Sequence, residues 1–166
     1  ANDANHGFPK APRSLQNGIS LGLGCDGAAR SNLSLFAEMK QLLYGTIAYW
    51  GLPIFDPDVI FARDLLTMAT VGGAKALQHE DLLGTLEAGK KADLITINLM
   101  QPHLTPTHNL LNTLVDCCSG HDVTDSVING KIVMKERNVL TIDEEETVKE
   151  CSKRIKEIAV RAGIEA

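Results

Sequence analysis

The sequence predicts an α/β fold, and three observations carry that expectation. Ile19, Leu21 and Leu23 alternate with Ser20, Gly22 and Gly24, which reads as a short buried strand. Two stretches of helical period follow it, and Asn129-Gly130 between two β-rich runs reads as a two-residue hairpin. At 166 residues the chain is long enough for a sizeable core, yet too short for a complete eight-stranded α/β barrel of about 250 residues.

Residues 1–13 read as loop, broken by Gly7, Pro9 and Pro12. They lack an initiating Met and any clear period, so the chain is expected to begin mid-domain. Residues 14–17 suit a short helix end before Gly18, and the strand covers 19–25, an α-to-β transition typical of repeating βα architecture. Beyond a Gly-rich loop, Asn32 or Ser34 is placed to cap a helix whose Leu35, Met39, Leu42, Leu43, Ile47 and Trp50 share one face. These are read as core residues and not as a cofactor box, and Gly51 with Pro53 stops the run. Asp56-Pro57 opens a second helix, with Asp as cap and Pro at the first helical position. Ile60, Leu65, Leu66, Met68 and Ala69 continue it to Gly72-Gly73, and 74–77 adds a turn.

The composition then changes. Residues 84–91 are turn-rich, 92–98 are β-rich, 101–106 form an extended loop, and 109–118 are helical by the spacing of Leu110, Leu111, Leu114 and Val115. Strands at 123–128 and 131–135 flank the Asn-Gly turn. A last helix opens with Thr141-x-x-Glu144 as a capping box and ends at Gly163, with Val148, Cys151, Ile155, Ile158, Ala159 and Ala162 as its expected buried face. The acidic run 143–146 suits a helix N-terminus.

Apolar content of 44% with 22% charged residues is ordinary for a soluble globular chain. A net charge of −5 offers no basic footprint, so neither nucleic acid nor membrane is an expected partner. No apolar run reaches the roughly 18 residues of a transmembrane helix. Cys25, Cys117, Cys118 and Cys151 form neither a CxxC pair nor a disulfide framework, which fits a reducing cytoplasm.

The residue with the clearest chemical promise is Asp26. A carboxylate where a buried strand opens into a Gly-rich loop is placed to ligate a metal or move a proton, although Asp-Gly is also an ordinary turn dipeptide. His6, His79, His103, His108 and His121 make no HxH or HExxH pair, and each reads as a loop or surface residue. There is no GxSxG elbow, and the carboxylate beside Cys25 should raise its thiol pKa. Gly22-x-Gly24-x-x-Gly27 matches the dinucleotide-binding letters, but a loop through Ser31 follows where a helix should open.

The stretch 19–29, with Asp26-Gly27-Ala28-Ala29, followed by Leu35-Phe36-x-Glu38-Met39-Lys40, resembles the last barrel strand and loop of the amidohydrolase superfamily. The similarity is greatest to the branch of S-adenosylhomocysteine/methylthioadenosine deaminases, guanine and cytosine deaminases, and triazine hydrolases. Met68-Ala69-Thr70-x-x-Gly73-Ala74-Lys75-Ala76-Leu77, the run from Gly84 to Leu94, and the run from Asp122 to Lys131 resemble later segments of that family in order. The resemblance implies the terminal part of a metal-dependent hydrolase (β/α)8 barrel, the C-terminal segment of a small composite β-sandwich, and a terminal helix. On this reading residues 1–80 hold the last barrel strand and helices, 81–140 the composite β segment, and 141–166 the terminal helix.

The same resemblance implies hydrolysis of a C–N bond in a nucleobase, nucleoside or related heterocycle. Asp26 would ligate a divalent metal, zinc or iron, and take a proton from the water that the metal activates. Ser31 and Asn32 would reach the small-molecule substrate, although helix capping accounts for Asn32 equally well. The family's HxH pair and middle-strand histidines have no counterpart here. The chain alone is therefore expected to be inactive, to bind metal only weakly, and to self-associate or pair with a missing N-terminal part. The alternatives are a non-catalytic folding or oligomerisation module derived from such an enzyme and, with less support, a nucleotide-binding α/β domain.

Overall fold

The structure, a computed structural model, describes residues 8–27 and 33–164. Its first half is a helical layer built around the apolar stripe of one long helix. That helix, α2 (Leu35–Thr46), follows a short α1 (Ala11–Gln16) and buries Met39, Leu42, Leu43 and Thr46. The expected stop at Gly51 is not a stop. The helix loosens into a π-helical turn at Ile47–Gly51 and a last turn, α3 (Leu52–Ile54), before Phe55 takes a left-handed φ of 55°. Pro53 is tolerated because it lies in the first turn of α3, where its missing N–H is not needed.

Asp56 caps only a 3-10 turn at Pro57–Val59, where its Oδ1 accepts the Asp58 amide at 3.0 Å. The second helix opens later than expected, as α4 (Ala62–Ala69). Asp64 accepts the Phe61 amide at 2.9 Å there, and Ala62, Leu65 and Met68 are buried against α2. A break at Thr70 separates α4 from α5 (Val71–Ala76). Near the other end of this layer, α6 (Leu110–Asn112) and a π-helical turn at Thr113–Cys117 bring Val115, fully buried, into the same core.

The second half is a four-stranded antiparallel sheet in the order β1 (Leu94–Ile97), β2 (Val123–Ile128), β3 (Lys131–Lys135) and β4 (Asn138–Val139). The Asn-Gly hairpin lies where the sequence places it, with Asn129 and Gly130 at φ of 50° and 78°. Its tip is tied to the entry of β1, since the Asn129 amide donates to Asp93 Oδ1 at 2.5 Å and the Gly130 amide to the Ala92 carbonyl at 3.0 Å. Across the sheet, Thr96 and Thr124 hydroxyls converge on Asp125 Oδ2 at 2.6 and 2.8 Å. The short β4 had no signal of its own in the sequence.

Further expectations fail in the extended segment and in the last helix. Residues 19–25 form no strand, because a ladder needs a neighbouring strand and none lies beside this segment among the described residues. The last helix, α7 (Glu144–Ala162), is capped by Asp143, whose side chain accepts the Glu146 amide at 2.9 Å, and not by Thr141. Its apolar face is also uncovered: no residue of α7 is buried, and Val148, Ile155 and Ile158 are 64%, 60% and 52% exposed.

The exposed area agrees with that open face. The chain presents 11873 Å² to solvent, whereas a compact monomer of this length presents about 8,000 Å². No described helix is long and apolar enough to cross a membrane.

Truncating Leu65, the wholly buried residue of α4 that packs in the cluster with Met39, Leu42 and Leu43 of α2 and with Val115, leaves a cavity in that core. Leu65→Ala is expected to lower unfolding free energy by about 2–5 kcal/mol, read as a shifted urea midpoint at unchanged slope.

Candidate functional site around Asp26

The segment before Asp26 keeps the alternation expected of a strand over residues 21–25, although no strand pairs with it among the described residues. Leu21 and Leu23 pack half-buried against the helical core and Cys25 is half-buried, while Ser20, Gly24 and Asp26 are exposed and Gly22 lies with its Cα against the Gly73 backbone. The even positions thus carry small residues up to the point where a carboxylate appears. Asp26 itself has a left-handed φ of 55°, a region that aspartate tolerates better than most residues. The turn dipeptide and the exposed carboxylate are therefore one feature. Ser31 and Asn32 lie outside the described residues.

The thiol of Cys25 is pushed up, first by burial and then by the carboxylate of Glu38 on α2. The expected direction holds, but the charge responsible is Glu38 and not the adjacent Asp26. Glu38 also borders a cleft of about 270 Å³ lined by Lys10, Ser14, Gly22, Gln41 and Met68 among others. Asp26 is not on its wall.

Fit to a metal can be judged from the donor set. A catalytic zinc takes three or more protein ligands. Among the described residues no three His, Cys, Asp or Glu side chains converge closely enough to hold an ion. His79, His108 and His121 are exposed, in keeping with the loop or surface reading, and His6 lies outside the described residues. Among the described residues Asp26 therefore has no set of converging donors around it.

His103 is more than a surface residue. Its Nε2 lies 2.9 Å from Oδ1 of the buried Asp122, and Ser119 gives Oδ2 both its amide, at 2.8 Å, and its hydroxyl, at 3.0 Å. Arg137 Nη1 donates to the carbonyls of Gly120, His121 and Val123 at 3.1, 2.8 and 3.0 Å. Burial alone would raise the Asp122 pKa, but the Ser119 bonds and His103 outweigh it and hold the carboxyl below its ordinary value. The knot joins the loop after β1, the entry to β2 and the β3–β4 turn. Ser119-x-x-Asp122 is a capping pattern that could have revealed part of it.

Comparison with known proteins places this geometry in context. A model of the amidohydrolase family matches residues 3–133. The 5-methylthioadenosine/S-adenosylhomocysteine deaminase 1 of Syntrophus aciditrophicus is 42% identical over 156 residues, which cover 93% of this chain and 33% of that protein. The 5'-deoxyadenosine deaminase of Methanosarcina mazei is 39% identical, with 89% and 33% covered. Among solved structures, an adenosine deaminase from Xanthomonas campestris with bound zinc superposes with a TM-score of 0.86 at 30% identity, covering 93% of this chain and 34% of that one. The chain thus spans about a third of the length of the curated relatives it matches.

Asp122 gives the chain a pH signature whose sign is fixed. Its folded pKa is lowered, so its contribution is fully present above the unfolded carboxylate value, about 3.9, and is lost as pH falls through the folded value. Asp122→Asn is expected to lower the thermal midpoint at pH 7, and the gap from the unmutated chain should narrow on acidification below about pH 4. A gap that stays constant from neutral to acid pH overturns this account.

Proposed function

The chain belongs to the amidohydrolase family, and on that premise we propose that it is the C-terminal part of a metal-dependent enzyme that hydrolyses a C–N bond. The proposed substrates are adenosine-like nucleosides or related heterocycles, and the proposed reaction is deamination. The observation that carries the reading is the placement of Asp26. It is an exposed carboxylate at the end of an alternating segment that rests on the helical core. The three relatives compared above are all deaminases of adenosine-like compounds, which supports the substrate class.

In this reading residues 1–80 close a barrel, 81–140 contribute to a composite β domain, and 141–166 form a terminal helix. Asp26 then accepts a proton from the attacking water and returns it to the departing ammonia, which a carboxylate can do from a single position. Zinc in the Xanthomonas structure supports a divalent metal, zinc or iron, as part of the complete site. Asp26 would hold one of its positions, and the remaining donors would come from sequence outside this chain. Ser31 and Asn32, just beyond the turn, are the proposed substrate contacts.

The excess exposed area and the bare face of α7 support a protein that lacks its covering. The same two observations favour a second reading, a folding or oligomerisation module with no turnover, in which a second copy provides that covering.

The two readings separate in one set of assays. The purified 166-residue chain is expected to show neither stoichiometric zinc nor deamination of adenosine, 5'-deoxyadenosine or methylthioadenosine. The chain joined to the remaining sequence of its parent is expected to show both, and Asp26→Asn in that joined protein to lower kcat by at least about 100-fold. Turnover by the 166 residues alone overturns the partial-enzyme reading. A joined protein that binds no metal supports the module instead.

A further inference from the structure

The segment that carries Asp26 is held in place without strand neighbours, and the way it is held singles out one residue. Helix α4 breaks at Thr70, whose φ and ψ are −127° and −95°. In an unbroken helix the Met68 carbonyl would accept the amide four residues on. Here it accepts the amide of Leu23 at 3.1 Å, a bond across to the extended segment. After the break, α5 starts with its backbone pressed against that same segment. A Cβ added at Gly72 would fall inside the contact distance of the Leu21 carbonyl oxygen and lie 3.0 Å from the Thr67 carbonyl. Both obstacles are backbone and cannot swing aside. From the opposite side, a Cβ at Gly22 would lie 2.9 Å from the Gly73 Cα. Gly73 differs from both, since its Cβ would meet nothing nearer than the Met68 carbonyl at 3.6 Å.

We propose that Gly72 is a positioning residue for Asp26, its bare backbone setting how closely the Asp26-bearing segment rests on α4 and α5. This inference rests on the reading of Asp26 as the proton-accepting carboxylate. Leu21 and Asp26 are five residues apart on a run that ends in the left-handed turn at Asp26, with Leu23 seated between them on the helical core and Cys25 half-buried. A shift forced at Leu21 is passed along that run to the carboxylate. Reacting groups need placement within a fraction of an ångström, and an error of about 1 Å can cost about 100-fold in rate.

Gly72→Ala and Gly73→Ala separate position from helix content, because each adds one methyl to α5 and only the first meets backbone. In the 166-residue chain, Gly72→Ala is expected to move the Asp26 and Gly27 amide resonances and to speed exchange of the Leu23 amide. Gly73→Ala should leave all three unchanged. In the joined protein, Gly72→Ala should lower kcat by about tenfold or more while KM stays within about threefold, and Gly73→Ala should keep both.

Equal behaviour of the two variants, or unchanged kcat in Gly72→Ala, overturns the inference. If Gly72→Ala fails to fold, Gly22→Ala applies the same displacement from the other side and is read by the same criteria. Asp26→Asn in the joined protein isolates the premise. Retained activity there brings down the role of Asp26, whereas lost activity beside a normal Gly72→Ala brings down the positioning role alone.

Discussion

The approach of two backbones, with no side chain between them, organises the first half of this molecule. Gly72 faces the Leu21 carbonyl, Gly22 faces Gly73, and the Leu23 amide reaches the Met68 carbonyl released by the break at Thr70. Close packing in an interior is normally achieved by interdigitated side chains, which can adjust when a neighbour changes. Backbone on backbone has no such freedom. It fixes the extended segment at one height above α4 and α5, and that height decides on which side Leu21, Leu23 and Cys25 find apolar partners. On the opposite parity Gly22 makes the contact with Gly73, while Ser20, Gly24 and Asp26 are left exposed.

The rest of the chain carries a conflict between local order and covering. Each element is well specified locally: α7 has a cap, acidic residues in its first turn, ion pairs at Lys149–Glu145 and Arg154–Glu150, and a left-handed glycine at its end. Those features contribute tenths of a kcal/mol apiece, whereas the half-exposed Val148, Ile155 and Ile158 forgo about 1–2 kcal/mol each of possible burial. Local propensity therefore makes the helix, and only a covering surface would fix where it sits. The buried Asp122 knot does the reverse. It has little apolar area to offer but ties three turns together through hydrogen bonds, so the sheet is held by polar contacts where its apolar contacts are few.

Sequence patterns revealed what depends on neighbours close in the chain. The Asn-Gly turn, the apolar stripe of α2 and the alternation over residues 21–25 follow from rules of short range, and the structure reproduces them, whereas Ile19 on the expected buried parity is 54% exposed. What the patterns missed depends on partners far apart in sequence. The strand ladder expected at 19–25 needs a second strand, the expected buried face of α7 needs a surface to lie on, and the role of Glu38 beside Cys25 needs a helix folded back over the segment. The delayed start of the second helix belongs to a third class. Asp56-Pro57 is a sound helix opening, but Ile60 is extended and Asp64 offers Phe61 a second cap, so the chain opens twice.

The site shares this division. One carboxylate is legible because a strand-end aspartate before glycine needs no distant partner to be noticed, and its outward parity can be read from five residues. A ligand set is a long-range property, and none converges among the described residues. A multi-ligand site places a heavy demand on each limb that contributes to it, because small errors from separate limbs add at the ion. A limb that contributes a single ligand therefore meets that demand best when its own direction is fixed before the others arrive. The backbone seat at Gly22, Leu23 and Gly72 provides such a fixed direction, since every contact in it lies within the chain itself.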